Sequence, residues 1–198
     1  MAYADQPLRA MFLLAVNCGF GNADCGTLPL SALDLTGGWV NFPRRKTGIP
    51  RRCKLWPETV AALREAIAKR PKPKDDADAG LCFVTKYGAA WYTGRPGGPV
   101  TNEAIKVFKA LGLHSAGRGF YTLRHVFQTI GDEAKDPVAT RAIMGHVDDS
   151  MSGAYREGVS DERLTAVANH VRKWLFPPKK RTPPERTAAA KAKRTPKR

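Results

Sequence analysis

Hydrophobic residues recur along this chain with helical spacing in most stretches and with strand-like spacing in one. Residues 8–17, "LRAMFLLAVN", are apolar on nearly every side, which predicts a buried helix ended by Gly19 and Gly21. Two short runs, 39–42 and 52–56, flank a turn rich in Lys, Arg, Gly and Pro. They predict a β-hairpin with a basic tip.

Helical signals return after the hairpin. Pro57 suits the first turn of a helix over residues 57–70. A polar loop separates this helix from "LCFVT", residues 81–85, which we interpret as a third strand. Thr101 is a candidate cap, and Gly112 a candidate stop, for the helix that follows.

Three further helices are predicted in the second half, over residues 121–134, 136–145 and 160–175. The second has Asp136 as its cap. The last carries one apolar stripe, formed by Leu164, Val167, Ala168, Val171 and Leu175. This stripe needs a surface to bury against. The elements together predict an α+β fold, mostly helical, with a small antiparallel β-hairpin or sheet.

Composition divides the chain into a body and a tail. Residues 177–198 contain nine Lys or Arg and one Glu without any periodicity, which predicts a disordered basic tail. Such a tail is typically a nonspecific tether to nucleic acid, and Lys179, Lys180 and Arg181 are its first candidate DNA-binding residues. Residues 1–176 are then expected to form one domain with a single core.

The charge balance indicates a polyanionic partner. The net charge is +15 and the pI is about 10, which favours double-stranded DNA, with an anionic membrane surface as the weaker alternative. No run approaches the ~20 apolar residues that span a bilayer, and "MFLLAV" lacks the flanks of a signal peptide. We therefore expect a protein of the cytoplasm, associated with the nucleoid, with no membrane partner.

The cysteines do not predict a metal site. Cys18, Cys25, Cys53 and Cys82 form no C-x-x-C pair and have no clustered histidine partner. Reduced, partly buried thiols are the simpler interpretation, and no metal is expected.

Candidate chemistry lies in the second half of the chain. Arg124 occurs in "YTLRHVF", His146 in "MGHVDD" and Tyr155 in "SMSGAYREG". Arginine, histidine and tyrosine beside a basic hairpin suit phosphodiester chemistry by a covalent route. The tyrosine would attack phosphorus, while the guanidinium and imidazole would stabilise charge on the phosphate oxygens.

The spacing of these residues resembles that of the tyrosine recombinases, the phage integrase family. The family has a helix with H-x-x-R, then a Gly-His pair, then a nucleophilic tyrosine nine residues after that histidine. Arg124, Gly145, His146 and Tyr155 match this order, and Tyr155 is nine residues after His146. Lys46 in "RRKTGIP" resembles the family's hairpin lysine. The resemblance covers roughly residues 5–176 and implies the tyrosine recombinase catalytic-domain fold.

The resemblance implies a mechanism without a metal, ATP or any other cofactor. The Tyr155 hydroxyl would attack the scissile phosphate of double-stranded DNA, giving a 3′-phosphotyrosyl link and a free 5′-hydroxyl. Arg124 would hold the non-bridging oxygens, Lys46 would protonate the leaving oxygen, and His146 would assist. Family members act as tetramers whose final helix docks on a neighbour, which would cover the apolar stripe of residues 160–175. A type IB topoisomerase is a related alternative, but the short chain and "MGH" favour an integrase.

One departure from the family pattern is Tyr121, which occupies the position of the family's first histidine. It lies three residues before Arg124, so both could face the phosphate from one helical turn. A phenol with a pKa near ~10 can donate a hydrogen bond but is a poor base at neutral pH. Tyr121 therefore keeps a role in phosphate contact but not in proton shuttling.

The larger departure is Gly21. The family's T-G-x-R-x-x-E-L pattern aligns with "CGFGNADC" through Gly19 and Asp24, and its arginine position is Gly21. Either another cation substitutes or catalysis is slow or lost. The candidates by charge are the hairpin arginines, which are also candidate DNA-binding residues: Arg44, Arg45, Arg51 and Arg52. The stretch lacks G-x-G-x-x-G and a Walker lysine, so it does not predict a phosphate loop.

Two functions follow from this pattern. The first is a DNA breaking-rejoining recombinase or integrase of a mobile element that acts through Tyr155. The second is a catalytically inactive, integrase-derived DNA-binding protein, which Gly21 and Tyr121 favour. Family members also carry an N-terminal core-binding domain that clamps the DNA, and we expect that domain to be absent from this chain.

Overall fold

The computed structural model describes residues 6–95, 97–146 and 158–178. Its α-helices in chain order are α1 (Gln6–Cys18), α2 (Asn22–Gly26), α3 (Pro57–Ala68), α4 (Pro99–Ala110), α5 (Thr122–Asp132), α6 (Pro137–Met144) and α7 (Asp161–Leu175). Its strands are β1 (Leu33–Asp34), β2 (Trp39–Asn41) and β3 (Arg52–Lys54). Short 3₁₀ turns occupy Leu30–Ala32 and Asp76–Asp78.

The first helix forms the centre of the core because nearly all of its side chains are apolar. Met11, Leu14 and Ala15 are fully buried, and α1 packs against α3, α5 and α7. It ends where predicted, because Gly19 has a φ of +63° and an added Cβ would lie 2.9 Å from the ring of Phe127. The predicted buried helix is confirmed.

The basic hairpin is confirmed with shorter strands than expected. Strands β1, β2 and β3 form an antiparallel sheet in sequence order, and Val40 pairs with Cys53 at its centre. Asn17 of α1 holds the hairpin in place: its Nδ2 donates to the Lys54 carbonyl at 2.9 Å, and its Oδ1 accepts from the Trp56 amide at 2.8 Å. Asn17 therefore fixes the base of the hairpin to the core, while Arg45 and Lys46 at the tip are exposed.

The predicted third strand over residues 81–85 is wrong. The strand that joins the hairpin strands β2 and β3 in the sheet is β1, which precedes them in the chain. Residues 81–85 make only two isolated bridges, Leu81 with Pro29 and Val84 with Ala90. Cys82, Phe83 and Val84 are all buried, so this apolar run packs into the core as an extended segment without a continuous ladder.

The helix boundaries follow local signals with one exception. Asp136 caps α6 by accepting from the Ala139 amide at 3.0 Å, as predicted. The helix expected to start at Thr101 instead starts at Pro99 after Gly98, because proline suits the first turn and lacks the amide that a cap would satisfy. Gly112, with a φ of +68°, follows its end as expected.

The apolar stripe of the last helix is buried within its own chain. Leu164, Val167, Ala168 and Val171 are at most 3% exposed, and α7 packs against α1, α5, α6 and β3. The expectation that a neighbouring subunit covers this stripe is therefore wrong. The apolar surface of α1, α5, α6 and β3 covers the stripe within the same domain.

Two other expectations concern the thiols and the membrane. The cysteines are free and buried, and burial raises the pKa of the Cys82 thiol to about 12. Within the described ranges, no helix is both long enough and apolar enough to cross a bilayer.

Candidate active site

Arg124 is a buried guanidinium fixed between two helix ends. It lies on α5 and is 2% exposed, on the same face as Phe127. Its Nη1 donates to the Gly19 carbonyl, and its Nη2 donates to the Met144 carbonyl at 2.9 Å. Burial lowers the pKa of Arg124, and the positive charge of Arg44 adds to this effect. An arginine remains charged nonetheless, so a fixed cation sits between the ends of α1 and α6.

His146 contacts Arg124 from the end of α6. Its Nε2 lies 3.1 Å from the Arg124 Nη2. A guanidinium can only donate, so this Nε2 is an acceptor and the ring proton is on Nδ1. Burial lowers the pKa of His146, and the charges of Arg124 and Arg44 lower it further, so the imidazole is neutral at pH 7. Its Nδ1–H is left as a hydrogen-bond donor.

Gly145 places His146 and anchors the hairpin tip. It has a φ of +65°, and an added Cβ would lie 2.6 Å from Cδ of Arg51 and 2.9 Å from Cβ of Arg44. The Gly145 carbonyl accepts from Arg44 Nη1 at 3.4 Å and from Thr47 Oγ1 at 3.3 Å. Only glycine combines the left-handed conformation with this close approach.

The hairpin tip contributes three successive cations. Arg45 and Lys46 are exposed, whereas Arg44 is half-buried against Gly145. The Arg45 guanidinium lies over the Tyr92 ring, 4.9 Å from its centre. These cations and Arg124 line a cavity of about 300 Å³, here called the basic cavity. Its other lining residues are Gly21, Asn22, Ala23, Asp24, Tyr92 and Tyr121.

Asp24 forms an ion pair with Arg51 that was not predicted from the sequence. The Gly21 amide donates to Asp24 Oδ2 at 2.8 Å, and Arg51 Nη2 donates to Asp24 Oδ1 at 2.8 Å. Arg51 is 4% exposed, and its guanidinium lies 4.6 Å from the centre of the Phe20 ring. Its Nη1 is buried without an acceptor among the described residues. The charge of the Asp24 carboxylate, which lies beside Gly21, is thus neutralised by Arg51 of the hairpin.

The space beside Gly21 is filled by Tyr121. A Cβ added at Gly21 would lie 3.2 Å from Cε2 of Tyr121, a tight contact that the ring would have to relieve by a small shift. The Tyr121 ring is 46% exposed and packs edge-on against His125, with ring centres 5.3 Å apart. The two departures from the family pattern therefore contact each other.

The remaining candidate residues lie elsewhere. Arg52 makes a bidentate ion pair with Asp161, at 2.7 and 2.8 Å, and lies over the Trp39 ring at 4.1 Å. This pair ties β3 to the start of α7. The other candidates, Tyr155, Lys179, Lys180 and Arg181, lie outside the described residues.

Sequence reasoning missed the Asp24–Arg51 pair, the helix α2 and the position of Tyr92. The acid in "CGFGNADC" is a signal that some cation must pair with it, but nothing local identifies a partner 27 residues away. Tyr92 lies in an irregular stretch whose residues have no periodicity.

The basic cavity can hold a phosphate group. Guanidinium and ammonium donors around a small cavity bind phosphate oxygens and stabilise added negative charge, and the Arg124 guanidinium is held in place here. A sequence model described as the phage integrase family matches residues 1–163. The chain belongs to the phage integrase family.

Solved structures of other integrases and recombinases share the fold. The integrase from mycobacterium phage Brujita has a TM-score of 0.61 at 18% identity, and the match covers 85% of this chain and 52% of that one. XerA recombinase has a TM-score of 0.59 at 17% identity, over 89% of this chain and 60% of that one. The chain therefore spans little more than half the length of either protein.

A third similar structure contains DNA. XerH site-specific recombinase, bound to its difH substrate in a pre-cleavage complex, has a TM-score of 0.58 at 18% identity, over 83% of this chain and 46% of that one. At these identities the likeness shows the integrase catalytic fold. No curated protein matches the sequence.

Proposed function

We propose that this integrase-family chain breaks and rejoins double-stranded DNA as a site-specific recombinase. The observation that carries the proposal is the basic cavity, where the fixed guanidinium of Arg124 faces the same space as Lys46 of the hairpin tip. A phosphodiester bound there would have a cation on either side. The resemblance assigns the nucleophile to Tyr155, nine residues beyond His146.

The proposed reaction is an in-line displacement at phosphorus. The Tyr155 phenolic oxygen bonds to phosphorus as its proton passes to water, and the bond to the 5′-oxygen breaks. Lys46 donates a proton to that leaving oxygen. Arg124 stabilises the charge on the non-bridging oxygens, and the Nδ1–H of neutral His146 is a further donor. The 3′-phosphotyrosyl link then reacts with a 5′-hydroxyl of another strand.

We propose that Arg44 partly compensates for the missing arginine. Of the four hairpin arginines, Arg44 and Arg45 line the basic cavity, whereas Arg52 is paired with Asp161. Arg44 is held by the Gly145 carbonyl, which fixes its position better than that of exposed Arg45. Loss of one preorganised donor typically costs ~10²–10³ in rate, so the reaction is expected to be slow.

The experiment is a covalent trapping assay. Sequences that the protein binds are first selected from a random duplex library, and a nick is then placed in them so that the cleaved strand diffuses away. A DNA adduct on a denaturing gel that is lost in Tyr155→Phe supports the proposal. No adduct from a protein that binds the same duplex would contradict it.

The second candidate is a DNA-binding protein without cleavage activity. It is favoured by Gly21 itself, which supplies no guanidinium, and by the Tyr121 ring, which packs beside Gly21 in the present structure. It predicts salt-sensitive duplex binding that Tyr155→Phe leaves unchanged, with no adduct from the wild-type chain.

We also propose that the protein self-associates on DNA, as a tetramer that involves the last helix. The buried stripe of α7 is already covered, but Trp174 and Phe176 at its end are 49% and 38% exposed. Because double-stranded DNA is the proposed partner, we also propose that the protein is located in the cytoplasm with the nucleoid. Light scattering of the DNA complex tests the proposal, since Trp174→Ser should lower the mass of the complex without loss of DNA binding.

A further inference from the structure

A second cavity, of about 550 Å³, adjoins the basic cavity. It lies between the start of α4 and residues 114–122, and it is here called the aromatic cavity. Asn22, Tyr92 and Tyr121 line both cavities. Any group bound in the aromatic cavity would therefore be separated from the basic cavity by single side chains.

Aromatic rings form much of the wall of this second cavity. Trp91 is 4% exposed and Phe120 is fully buried, while Tyr92 and Tyr121 are partly accessible. Flat rings of this kind bind flat ligands by stacking, and nucleic-acid bases are bound in this way. The volume falls in the range usual for small-molecule sites.

The cavity also offers unused hydrogen-bond donors. The Nε1–H of Trp91 is buried and has no acceptor among the described residues, and buried donors of this kind are rare in native proteins. Helix α4 starts at the cavity after Gly98, which has no side chain to cap the first-turn amides of Val100 and Thr101. These donors need hydrogen-bond acceptors, and a ligand with a base or a phosphate group would provide them.

The charge of the wall favours an anionic ligand. Arg95 and Arg118 are exposed side chains of the lining, and His114 lies beside them. Among the described residues, the lining contains no Asp or Glu. A ring-shaped ligand that also carries a phosphate matches both the aromatic wall and this charge.

We propose that the aromatic cavity binds one unstacked nucleotide of a DNA strand, next to the phosphate held in the basic cavity. The base packs against the accessible rings of Tyr92 and Tyr121, next to buried Trp91, and its phosphate pairs with Arg118 or Arg95. The proposal deepens the proposed function, because it takes DNA as the ligand of both cavities. It makes Tyr121, the shared wall, a contact for the bound strand.

The experiment follows the indole N–H signals of the four tryptophans by NMR. Protein with ¹⁵N-labelled tryptophan and Tyr155→Phe is titrated with thymidine monophosphate, a thymidine tetranucleotide, a fully paired duplex and a duplex with one extrahelical base. Substitution of each tryptophan by phenylalanine assigns the signals, and the other indole signals of Trp91→Phe show whether that variant is folded.

A saturable shift of the Trp91 signal with the tetranucleotide and with the extrahelical base, and a smaller one with the paired duplex, is the expected result. Arg118→Gln should then weaken tetranucleotide binding about tenfold. Arg64→Gln should leave tetranucleotide binding unchanged. It removes the same charge, but from a side chain that donates a hydrogen bond to the Leu35 carbonyl. A Trp91 signal that no DNA moves would overturn the proposal, and so would a response to the mononucleotide alone.

Failure of this inference and failure of the proposed function give different results. The titration needs no cleavage, since it uses Tyr155→Phe. An adduct in the trapping assay with an unmoved Trp91 signal refutes the nucleotide site alone. A shifted Trp91 signal without any adduct refutes strand cleavage alone.

Discussion

Single side chains determine whether the missing arginine can be restored. A side chain at position 21 meets the Tyr121 ring at 3.2 Å, but that ring is exposed and can move. Gly21→Arg with Tyr121→His should therefore raise the rate of adduct formation by about 10²-fold, and Gly21→Arg alone by less. Single-turnover trapping measures both. Equal rates for the double variant and the wild type would show that position 21 does not limit the reaction.

The buried Asp24–Arg51 pair should be important for stability. The Arg51 side chain is 1% exposed and that of Asp24 is 11%, so Asp24→Asn leaves a buried charge without its partner. We expect a loss of about 3–5 kcal/mol in the free energy of unfolding, measured with urea. The matched control is Asp161→Asn, whose pair with Arg52 is 47% and 38% exposed and should contribute at most about 1 kcal/mol.

The pKa of His146 predicts how stability depends on pH. That pKa is lowered in the folded protein, so the unfolded chain takes up a proton at this position first as the pH falls below about 6.5. The free energy of unfolding should therefore decrease between pH 7.5 and pH 5.5. His146→Gln keeps an acceptor for Arg124 but cannot titrate. A urea midpoint that falls equally in both proteins would assign the loss to other groups.

At the scale of elements, the contact between α6 and the hairpin rests on Gly145. Gly145→Ala combines a left-handed conformation with a clash against Arg51 and Arg44, so it should cost about 2–5 kcal/mol and displace Lys46. Gly112 is the control, because it also follows a helix at positive φ but has open space around it. Gly112→Ala should cost only about 1–2 kcal/mol. Similar losses in thermal or urea unfolding would mean that the hairpin contact is unimportant.

Elements with strong local signals could be predicted from the sequence. The apolar run of α1, the hairpin and the Asp136 cap each depend on neighbouring residues, and each was found. Strand β1 has only two residues, which is too short to show an alternation. The partner of the α7 stripe and the pairing of Asp24 with Arg51 depend on contacts between distant segments, which spacing does not reveal.

At the scale of the whole molecule, the distribution of charge predicts the role of the tail. Residues 177–198 carry nine of the 33 basic residues. Lys179, Lys180 and Arg181 are the first three of these nine. The triple variant Lys179→Gln, Lys180→Gln, Arg181→Gln should reduce the slope of log K against log salt by up to about 2.7, since each lost phosphate contact removes about 0.9. Fluorescence anisotropy with a duplex measures the slope. A tail of scrambled sequence should bind as well as the original, and weaker binding by that tail would indicate a specific contact.

The hairpin also joins three parts of the fold that are distant in sequence. Its arginines and Thr47 bond to three separate places: Gly145 at the end of α6, Asp24 of α2, and Asp161 at the start of α7. Arg45 and Lys46 at the tip make none of these contacts and remain exposed. Because these hydrogen bonds lie at the end of α6 and at the start of α7, a single hairpin fixes the relative position of those two helix ends.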